Sequence, residues 1–265
     1  MSSESGAGDN QRLQGKVAIV TGGASGIGET VARLFADHGA RMVVIVDIQD
    51  DLGNKVAESI GVQRCTFVHC DVTDENQVKT TVESTVQKFG QLDVMFSNAG
   101  ILSSSQQTVL DLDLLGFERL FAINVRGMAL CVKHAARAMV EGRVRGSIVC
   151  TASVAAKNGA KAHTDYVMSK HAVLGLVRSA SMQLGEIGIR VNSVSPNGLA
   201  TPLTCKGFGL EAAEVEKLFE SSACLKGVAL KTQHVANAVL FLASDESEFV
   251  NGADLAVDGG YVASL

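Results

Sequence analysis

Residues 16–28 read KVAIVTGGASGIG, and this stretch decides the fold of the chain. Its β-branched first half predicts a buried strand, and its glycine-rich end opens the stretch GETVARLFADHG at 28–39, where apolar residues recur at helical spacing. Gly22, Gly26 and Gly28 would let the backbone turn tightly and approach a pyrophosphate held by the amides of a helix N-terminus. The spacing is G-x-x-x-G-x-G rather than the common G-x-G-x-x-G, and such turns also serve packing, so the motif needs support from the rest of the chain.

Strand-like and helix-like stretches alternate along the whole chain. Several strand-like runs are apolar on both faces, which is typical of a parallel sheet covered by helices on both sides, and the alternation predicts an α/β, doubly wound sheet. No Pro- or Ser-rich linker divides the 265 residues, so we expect one domain over 15–265 after a disordered tail over 1–14. The predicted strands are KVAIVTG (16–22), RMVVIVD (41–47), CTFVHCDV (65–72), LDVMFSNAG (92–100), GSIVCTAS (146–153), IRVNSVSP (189–196) and ADLAVDG (253–259).

Composition and charge exclude several classes of protein. An apolar content of 46% argues against intrinsic disorder, and a net charge of −5 argues against a nucleic-acid partner. No apolar run approaches the ~20 residues of a membrane span, and the opening MSSESGAGDNQ lacks the features of a secretory signal. The six cysteines show no metal-ligand or redox spacing. We therefore expect a cytoplasmic protein with reduced thiols, no metal and no membrane partner.

Asp47 ends the second predicted strand, nineteen residues after Gly28. A carboxylate there would hydrogen-bond the ribose hydroxyls of an adenosine and repel a 2′-phosphate. An Asp at a strand end can also be simply solvated, but the glycine turn at the expected distance favours the nucleotide interpretation. No Arg or Lys lies in that turn or just after Asp47 to hold a phosphate, so the sequence predicts NAD rather than NADP.

Tyr166 and Lys170 stand four residues apart in a stretch that fits a helix, and Ser153 ends the fifth predicted strand. Side chains at i and i+4 project from one helical face. The pKa of a free phenol lies near 10, and we expect a neighbouring ammonium and a positive nicotinamide to lower it by roughly 1–3 units. The Ser hydroxyl can donate to a substrate oxygen as its charge changes. A Tyr and a Lys at this spacing also occur on ordinary surfaces, but with Ser153 and the nucleotide turn they predict hydride-transfer chemistry.

Together, these motifs make the chain similar to the short-chain dehydrogenase/reductase family, from residue 15 to about residue 261. The family resemblance implies a single-domain Rossmann sheet of seven parallel strands flanked by helices, usually in a homotetramer. It implies that Tyr166 is the general acid/base, that Lys170 binds the nicotinamide ribose and lowers the Tyr pKa, and that Ser153 orients the substrate oxygen. It also implies that Asn124, within FAINVRG, supports a proton-relay water.

The same resemblance implies a set of NAD contacts. Asp71 and Val72 would flank the adenine, and the turn at 98–100 would line the cleft. The full set comprises Gly22, Ser25, Gly26, Ile27, Gly28, Asp47, Ile48, Asp71, Val72, Asn98, Ala99, Gly100, Tyr166, Lys170, Pro196, Leu199 and Thr201. One position departs from the family pattern, because Pro196 is followed by Asn197 where the family usually has Gly. Since Asn can adopt the left-handed backbone that a Gly would supply, we expect a small adjustment here rather than a loss of cofactor binding.

The segment 197–228 is predicted to be the longest irregular stretch, with helix returning only around Glu211. Such loops in compact domains are usually lids or binding loops, so we expect a substrate loop here. The part LATPLTCKGFGLEAA carries Leu and Phe side chains, one Lys and no Arg clamp of the kind that a charged substrate would need. The same leucines could instead pack the loop onto the body of the domain.

The stretches VNSVSPNGLATPL and FLASDESEFVNGADLAVDGGY resemble a plant branch of the family that oxidises secondary alcohols of terpenoids and lignans. We therefore expect NAD-dependent oxidation of an apolar terpenoid alcohol to its ketone, with borneol to camphor as the first choice. The alternatives are isopiperitenol, xanthoxin or a lignan diol as substrate, an NADPH-driven ketone reductase, and a non-catalytic NAD-binding scaffold.

Two smaller patterns complete the predictions. His69, His134 and His163 show no metal-ligand spacing, although His163 lies three residues before Tyr166 and could either cap a helix or rim the pocket. The acidic run at 111–113 predicts the start of a helix.

Overall fold

The computed structural model describes residues 11–103 and 105–262, and within them the alternating pattern forms one seven-stranded parallel sheet. The strand order is β3-β2-β1-β4-β5-β6-β7, and every neighbouring pair is parallel. The predicted doubly wound sheet is therefore confirmed. The strands are β1 (Val17–Thr21), β2 (Met42–Asp47), β3 (Cys65–His69), β4 (Val94–Ser97), β5 (Ser147–Thr151), β6 (Arg190–Pro196) and β7 (Asp254–Val257).

Helices cover both faces of the sheet and bury two apolar cores against it. One core packs side chains of α3, α5 and α6 onto the sheet, and the other packs those of α1, α2 and α9. The helices are α1 (Gly26–Asp37), α2 (Asp50–Ile60), α3 (Glu75–Phe89), α4 (Leu114–Phe121), α5 (Met128–Glu141), α6 (Thr164–Gly185), α7 (Pro202–Phe208), α8 (Ala212–Glu220) and α9 (Thr232–Ala243). Among the residues that the structure describes, no helix combines the length and apolarity needed to cross a bilayer.

The direction of the strand order reverses at β1, which pairs with β2 on one side and with β4 on the other. In open α/β sheets, ligands bind outside the carboxyl ends of the strands at such a switch point. Here the turns after β1 and β4 are joined directly, because the backbone N–H groups of Asn98 and Ala99 donate to Thr21 Oγ1 at 2.9 and 3.0 Å. The topology therefore places the glycine turn at the crevice.

The folded domain begins earlier than predicted. Leu13 is fully buried, its N–H donates to the carbonyl of His38 at 2.9 Å, and Arg12 forms an ion pair with Glu246. The prediction of a disordered tail over 1–14 is therefore wrong for residues 11–14, and its remaining part, 1–10, lies outside the described residues. The signal that was missed is a single apolar residue, Leu13, in an otherwise polar stretch.

The segment 197–228 is not an irregular loop, since α7 begins at Pro202, well before Glu211. Thr201 and Thr204 form a reciprocal cap: the Thr201 hydroxyl accepts the Thr204 N–H, and the Thr204 hydroxyl accepts the Thr201 N–H. A proline at the first helical position is also favourable, because it has no N–H to leave unpaired there. The expectation that helix returns only around Glu211 is therefore wrong, because helix already begins at Pro202.

Candidate active site

Most of the predicted cofactor residues lie at the carboxyl ends of the strands or in the turns that follow them, and the others lie in helices: Gly26, Ile27 and Gly28 begin α1, and Tyr166 and Lys170 lie in α6. The glycine turn after β1 makes close contact with two other parts of this edge. A Cβ atom on Gly22 would lie 3.0 Å from Ala99 Cα, and one on Gly26 would lie 3.4 Å from Thr201 Cβ. The turns after β1 and β4 and the start of α7 therefore form one continuous cleft edge.

The glycine turn has the open backbone that a pyrophosphate requires. Gly22 and Gly26 have φ of +65° and +58°, a region that L side chains rarely adopt. The N-cap residue of α1, Ser25, makes no side-chain capping bond to any residue that the structure describes, whereas Asp74 and Asp113 cap α3 and α4. Because the first amides of a helix lack partners within it, the start of α1 fits a phosphate group.

The cap at Asp113 also confirms the predicted helix start at 111–113.

Gly28→Ala is expected to lower the free energy of unfolding by about 3 kcal/mol, because an added Cβ would lie 2.1 Å from the carbonyl oxygen of Gly22, where backbone must move. Urea denaturation measures the change. The matched control is Gly175→Ala, at an exposed position inside α6 with nothing within 4 Å of the added atom, which should raise stability by about 0.5–1 kcal/mol. A Gly28→Ala protein as stable as the wild type would show that the tight turn is not required.

The Asp47 carboxylate is held rigidly beside the glycine turn. It is 9% exposed, its Oδ2 accepts the Ala24 N–H at 3.1 Å, and its Oδ1 accepts the N–H groups of Ile48 and Gln49 at 2.8 and 3.1 Å. A carboxylate offers about four acceptor positions, so Oδ2 keeps capacity for a further donor such as a ribose hydroxyl. Ile48 beside it is 60% exposed.

Asn98 uses its side chain to join three strand ends rather than to face the cleft. Its Nδ2 donates to the carbonyl of Thr21 at 3.1 Å, and its Oδ1 accepts from the Thr151 hydroxyl at 3.0 Å. Asp71, predicted beside an adenine, accepts at Oδ1 from both the N–H and the hydroxyl of Thr73 at 2.8 Å. These two side chains fix the turns whose backbone lines the cleft.

Ser153, Tyr166 and Lys170 come together at the end of β5, as the sequence predicts. Ser153 is the neighbour that opposes the effect of burial on the pKa of the Tyr166 phenol, and its hydroxyl accepts the N–H of Ala155 in the turn that follows. The Lys170 ammonium lies 5.5 Å from the centre of the Tyr166 ring and donates to the carbonyl of Thr151 at 2.9 Å. Lys170 is 4% exposed, so its charge is held out of water.

The pKa of Tyr166 departs from expectation. Burial raises it above its ordinary value, and the hydrogen bond from Ser153 opposes that effect without overcoming it. The pKa of Lys170 falls to about 8, again through burial. In the protein by itself, the ammonium therefore does not bring the phenol pKa below its ordinary value, because both groups lose hydration in the same place. The lowering expected from the ammonium and a nicotinamide together stays a prediction.

This direction can be measured directly, because Tyr166 and Tyr261 are the two tyrosines of the chain and it has no tryptophan. In a Tyr261→Phe variant, the ultraviolet absorbance of phenolate reports Tyr166 alone. We expect it to ionise above the ordinary pKa of 10.0, since burial disfavours the phenolate. Ionisation at or below that value in the folded protein would contradict the burial of the phenol.

Asn124 is fully buried within a π-helical turn, Ala122–Gly127, between α4 and α5. Its Oδ1 accepts the Ile101 N–H at 2.8 Å, and its Nδ2 donates to the Ile101 carbonyl at 2.9 Å and to Ser169 Oγ at 3.3 Å. The side-chain amide thus forms two hydrogen bonds with the backbone of Ile101, one as acceptor and one as donor. It fixes the turn after β4 against the helix that carries Tyr166.

Sequence reasoning missed a second connection between these two parts. Ser103 donates to Asp165 Oδ1 at 2.5 Å, and the same oxygen accepts the N–H of Tyr166 at 2.8 Å. The carbonyl of Gln107 accepts the N–H of Thr164 at 2.9 Å. The first residues of α6 are therefore tied to the segment after β4. The proximity of Asp165 to Tyr166 in sequence was the available signal, but Ser103 is 62 residues away.

Asn197 does not use the left-handed backbone open to it, since Arg143 and His163 are the non-glycine residues with positive φ within 11–103 and 105–262. Its side chain forms a local turn instead, because Oδ1 accepts the Gly198 N–H at 2.8 Å and Nδ2 donates to Ser222 Oγ at 3.2 Å. Asn197 therefore links the end of β6 to the segment after α8.

An apolar wall crosses the cleft between α6 and α7. The edge of the Phe208 ring meets His163 at 6.2 Å between ring centres, and Phe208 meets Phe219 of α8 at 5.7 Å. A Cβ atom on Gly207 would lie 2.8 Å from Leu102 Cδ1, so α7 packs directly on the turn after β4. Among the described residues, no group of three or more His, Cys, Asp or Glu side chains is arranged to hold a metal.

Comparison with known proteins identifies relatives along nearly the whole chain. The family described as enoyl-(acyl carrier protein) reductase matches residues 22–262. A (−)-isopiperitenol/(−)-carveol dehydrogenase, termed mitochondrial, of Mentha piperita is 61% identical over 94% of each chain. A (+)-cis,trans-nepetalactol synthase of Nepeta racemosa is 60% identical over 96% of each. The crystal structure of a short-chain type dehydrogenase/reductase from Mycobacterium marinum superposes with a TM-score of 0.86, at 34% identity, and covers 96% of this chain and 98% of that one.

Proposed function

Because the chain belongs to the short-chain dehydrogenase/reductase family of oxidoreductases, we propose that it oxidises a secondary hydroxyl of a small apolar terpenoid to the ketone with NAD⁺. The observation that carries this proposal is the placement of Tyr166, with the Lys170 ammonium 5.5 Å from the centre of its ring and Ser153 as the neighbour that opposes the rise in the pKa of its phenol. These groups stand at the carboxyl edge of the sheet, beside the glycine turn.

Oxidation of an alcohol removes a proton from oxygen and a hydride from the carbinol carbon. NAD⁺, when bound, supplies the acceptor for the hydride, and the released products are the ketone, NADH and one proton. In our proposal, Tyr166 as phenolate takes the hydroxyl proton and Ser153 donates a hydrogen bond to the substrate oxygen. Lys170 as ammonium stabilises the phenolate by its charge, an effect strengthened by its burial.

The residues that would hold the dinucleotide are those predicted from the sequence. The amides and hydroxyl at the start of α1 fit the pyrophosphate, and Asp47 fits the adenosine ribose. The predicted contacts after the later strands are Asp71, Val72, Asn98, Ala99, Gly100, Pro196, Leu199 and Thr201. Of these, Asn98 and Asp71 would act through the backbone of their turns, since their side chains have partners within the protein.

Asp47→Ala is expected to lower kcat/KM for NAD⁺ by about 10- to 100-fold while leaving that for NADP⁺ unchanged or higher, because the variant loses a charged hydrogen-bond acceptor and a negative charge that repels the 2′-phosphate. Steady-state kinetics with both cofactors and one alcohol measures the ratio. Asp51→Ala, at an exposed position in the first turn of α2, serves as the matched control and should change neither value. An unchanged NAD/NADP ratio in Asp47→Ala would overturn the choice of cofactor.

An apolar substrate is supported by the walls of the cleft and by the relatives. Leu102, Phe208 and Phe219 contribute apolar surface, and the stretch LATPLTCKGFGLEAA, which includes Phe208, contains no arginine that could clamp a charged group. The dehydrogenase of Mentha piperita is named for isopiperitenol and carveol, both cyclic secondary alcohols. Borneol, placed first by resemblance, stays a prediction beside these two.

A second candidate function is a terpenoid cyclisation with no net redox change, because the Nepeta racemosa relative is named a nepetalactol synthase at nearly the same identity. A panel of alcohols distinguishes the two: borneol, isopiperitenol, carveol, xanthoxin and a lignan diol, each with NAD⁺ and followed by NADH absorbance. We expect the highest kcat/KM with a monoterpene alcohol. NADH formation from none of them would overturn the dehydrogenase proposal, and similar rates with all would reduce it to general alcohol oxidation.

We further propose that the protein is a homotetramer in a reducing compartment, most simply the cytoplasm. The six cysteines are all free, four of them buried, which fits a compartment that keeps thiols reduced. Light scattering of the purified protein tests the tetramer. A fluorescent fusion tests the location against the organelle in the name of the Mentha piperita relative.

A further inference from the structure

His163, the residue just before α6, has an unusual backbone for its residue type. Its φ of +63° and ψ of +40° place it in the left-handed region. Within 11–103 and 105–262, the other non-glycine residue with positive φ is Arg143, which lies in an exposed turn after α5. A left-handed conformation costs free energy in an L residue, and such residues are found where the surrounding structure holds them for a purpose.

The strained backbone puts the imidazole into the wall of the cleft rather than at a helix cap. His163 makes no capping bond with its side chain within the described part of the chain, so the predicted capping role is not supported. Its ring instead meets Phe208 of α7 edge-on, 6.2 Å between centres. The imidazole therefore contacts α7 from the start of the helix that carries Tyr166, three residues before that phenol.

One ring nitrogen of His163 is buried there without a partner. Nδ1 has no hydrogen bond to any residue that the structure describes, and it is shielded from solvent. The nearest acidic side chain in sequence, Asp165, accepts at Oδ1 from Ser103 and from the N–H of Tyr166, while its Oδ2 is also buried without a partner among the described residues and makes no bond to the ring. A buried ring nitrogen left unpaired is unfavourable, and such a group in a native protein needs an explanation.

We propose that His163 is a substrate-binding residue that holds a second oxygen of the substrate, apart from the one that Ser153 and Tyr166 engage. This inference rests on the proposed dehydrogenase function and names its substrate class: cyclic terpenoid alcohols with a further hydroxyl or carbonyl group. An imidazole nitrogen can accept from a hydroxyl or donate to a carbonyl, depending on its tautomer. In a wall made of Phe and Leu side chains, this contact sets the orientation of an otherwise apolar molecule.

The contact also implies selectivity. When a binding site contains a buried polar group, the right substrate forms a hydrogen bond with it. An analogue that lacks the matching group leaves that polar atom unpaired, so the site discriminates strongly against the analogue. The wild-type protein should therefore prefer a ring-hydroxylated monoterpene alcohol over the parent alcohol by about tenfold or more in kcat/KM.

The test compares borneol and isopiperitenol with their ring-hydroxylated derivatives in three variants. His163→Gly and His163→Asn both tolerate positive φ, but Asn keeps a hydrogen-bonding side chain. We expect His163→Gly to lower kcat/KM for the hydroxylated substrates by about 10- to 100-fold and for the parent alcohols by less than about threefold. His163→Asn should retain most of the preference. The matched control, His171→Asn, on the exposed face of the same helix, should change neither.

Equal losses with both classes of substrate in His163→Gly would overturn the inference and assign the ring a packing role against Phe208. A wild-type protein that shows no preference would overturn it as well, while leaving the proposed function intact. If the wild type yields NADH from neither class, the proposed function fails on its own. Calorimetric titration of a hydroxylated compound into wild type and His163→Gly then decides the inference, since binding of equal strength overturns it and weaker binding to His163→Gly supports it.

Discussion

Tyr166→Phe is expected to lower kcat for alcohol oxidation by about a thousandfold, within the range that a positioned proton acceptor contributes. The substitution removes one oxygen atom and keeps the ring, so the contact with the Lys170 ammonium remains. Ser153 would still hydrogen-bond the substrate oxygen, but no group would be left to take its proton. The measurement is steady-state NADH formation with the best alcohol of the panel, together with a calorimetric titration of NAD⁺, whose affinity should change by less than about threefold.

The chain supplies its own control for this substitution. Tyr261→Phe removes the same atom from the second tyrosine, in the short turn after β7, and we expect it to keep kcat within about threefold. Thermal unfolding should place Tyr166→Phe close to the wild type, because the substitution keeps the ring and removes a hydroxyl that folding desolvates. If Tyr166→Phe kept more than about a few per cent of the wild-type rate, the proton would be leaving by another route.

The fold could be predicted almost completely from the sequence, because each strand is a short apolar run bounded by polar turns. The run MVVIVD at 42–47, for example, is buried on both faces in the structure, which is what a parallel sheet between two helical layers requires. The helix α7 could not be predicted in the same way. Its start depends on a reciprocal cap between Thr201 and Thr204, and a proline is ambiguous until that cap is seen.

The spacing of residues in the sequence predicted which side chains react, but it did not predict the contacts that hold those side chains in place. Tyr166 and Lys170 share a helix face and therefore meet whatever the tertiary structure. The pairing of Ser103 with Asp165 and the contact of His163 with Phe208 join residues that are far apart in sequence. No local pattern encodes such contacts, because they depend on how α6, α7 and the turn after β4 pack together.

The pKa of the Tyr166 phenol is a second property that the sequence alone could not predict. Sequence places an ammonium one turn from Tyr166, and an ammonium in water beside a phenol would lower the phenol pKa. Burial is a property of the folded site, and here it raises the pKa of Tyr166 and lowers that of Lys170 to about 8. Because the site is shielded from water, charges interact strongly within it. An added positive charge, such as a bound nicotinamide, would therefore have a large effect on the pKa of the phenol.

Lys170→Met is expected to abolish activity and to stabilise the protein. The loss of the ammonium removes the charge that favours the phenolate, and we expect kcat to fall by at least about a hundredfold. The pKa of Lys170 falls from 10.5 to about 8 on folding, so keeping it protonated in the folded state at pH 7 costs about 3 kcal/mol. Methionine avoids that cost but leaves the Thr151 carbonyl without its donor, which costs about 1 kcal/mol. The net gain in the free energy of unfolding should be about 1–2 kcal/mol.

The pH dependence separates this explanation from a simple packing effect. Between pH 8 and 10.5 the unfolded wild type binds one more proton at this lysine than the folded protein does, so the stability of the wild type rises with pH across that window. Lys170→Met lacks this rise, and its advantage should therefore be full below pH 8 and disappear as pH approaches 10.5. Urea denaturation at a series of pH values measures the difference. Lys79→Met, at an exposed position paired with Glu83, should differ from the wild type by less than about 0.5 kcal/mol throughout. If the stability gained by Lys170→Met did not depend on pH, Lys170 would not be desolvated in the folded protein. The proposal that a buried ammonium stabilises the Tyr166 phenolate would then fail.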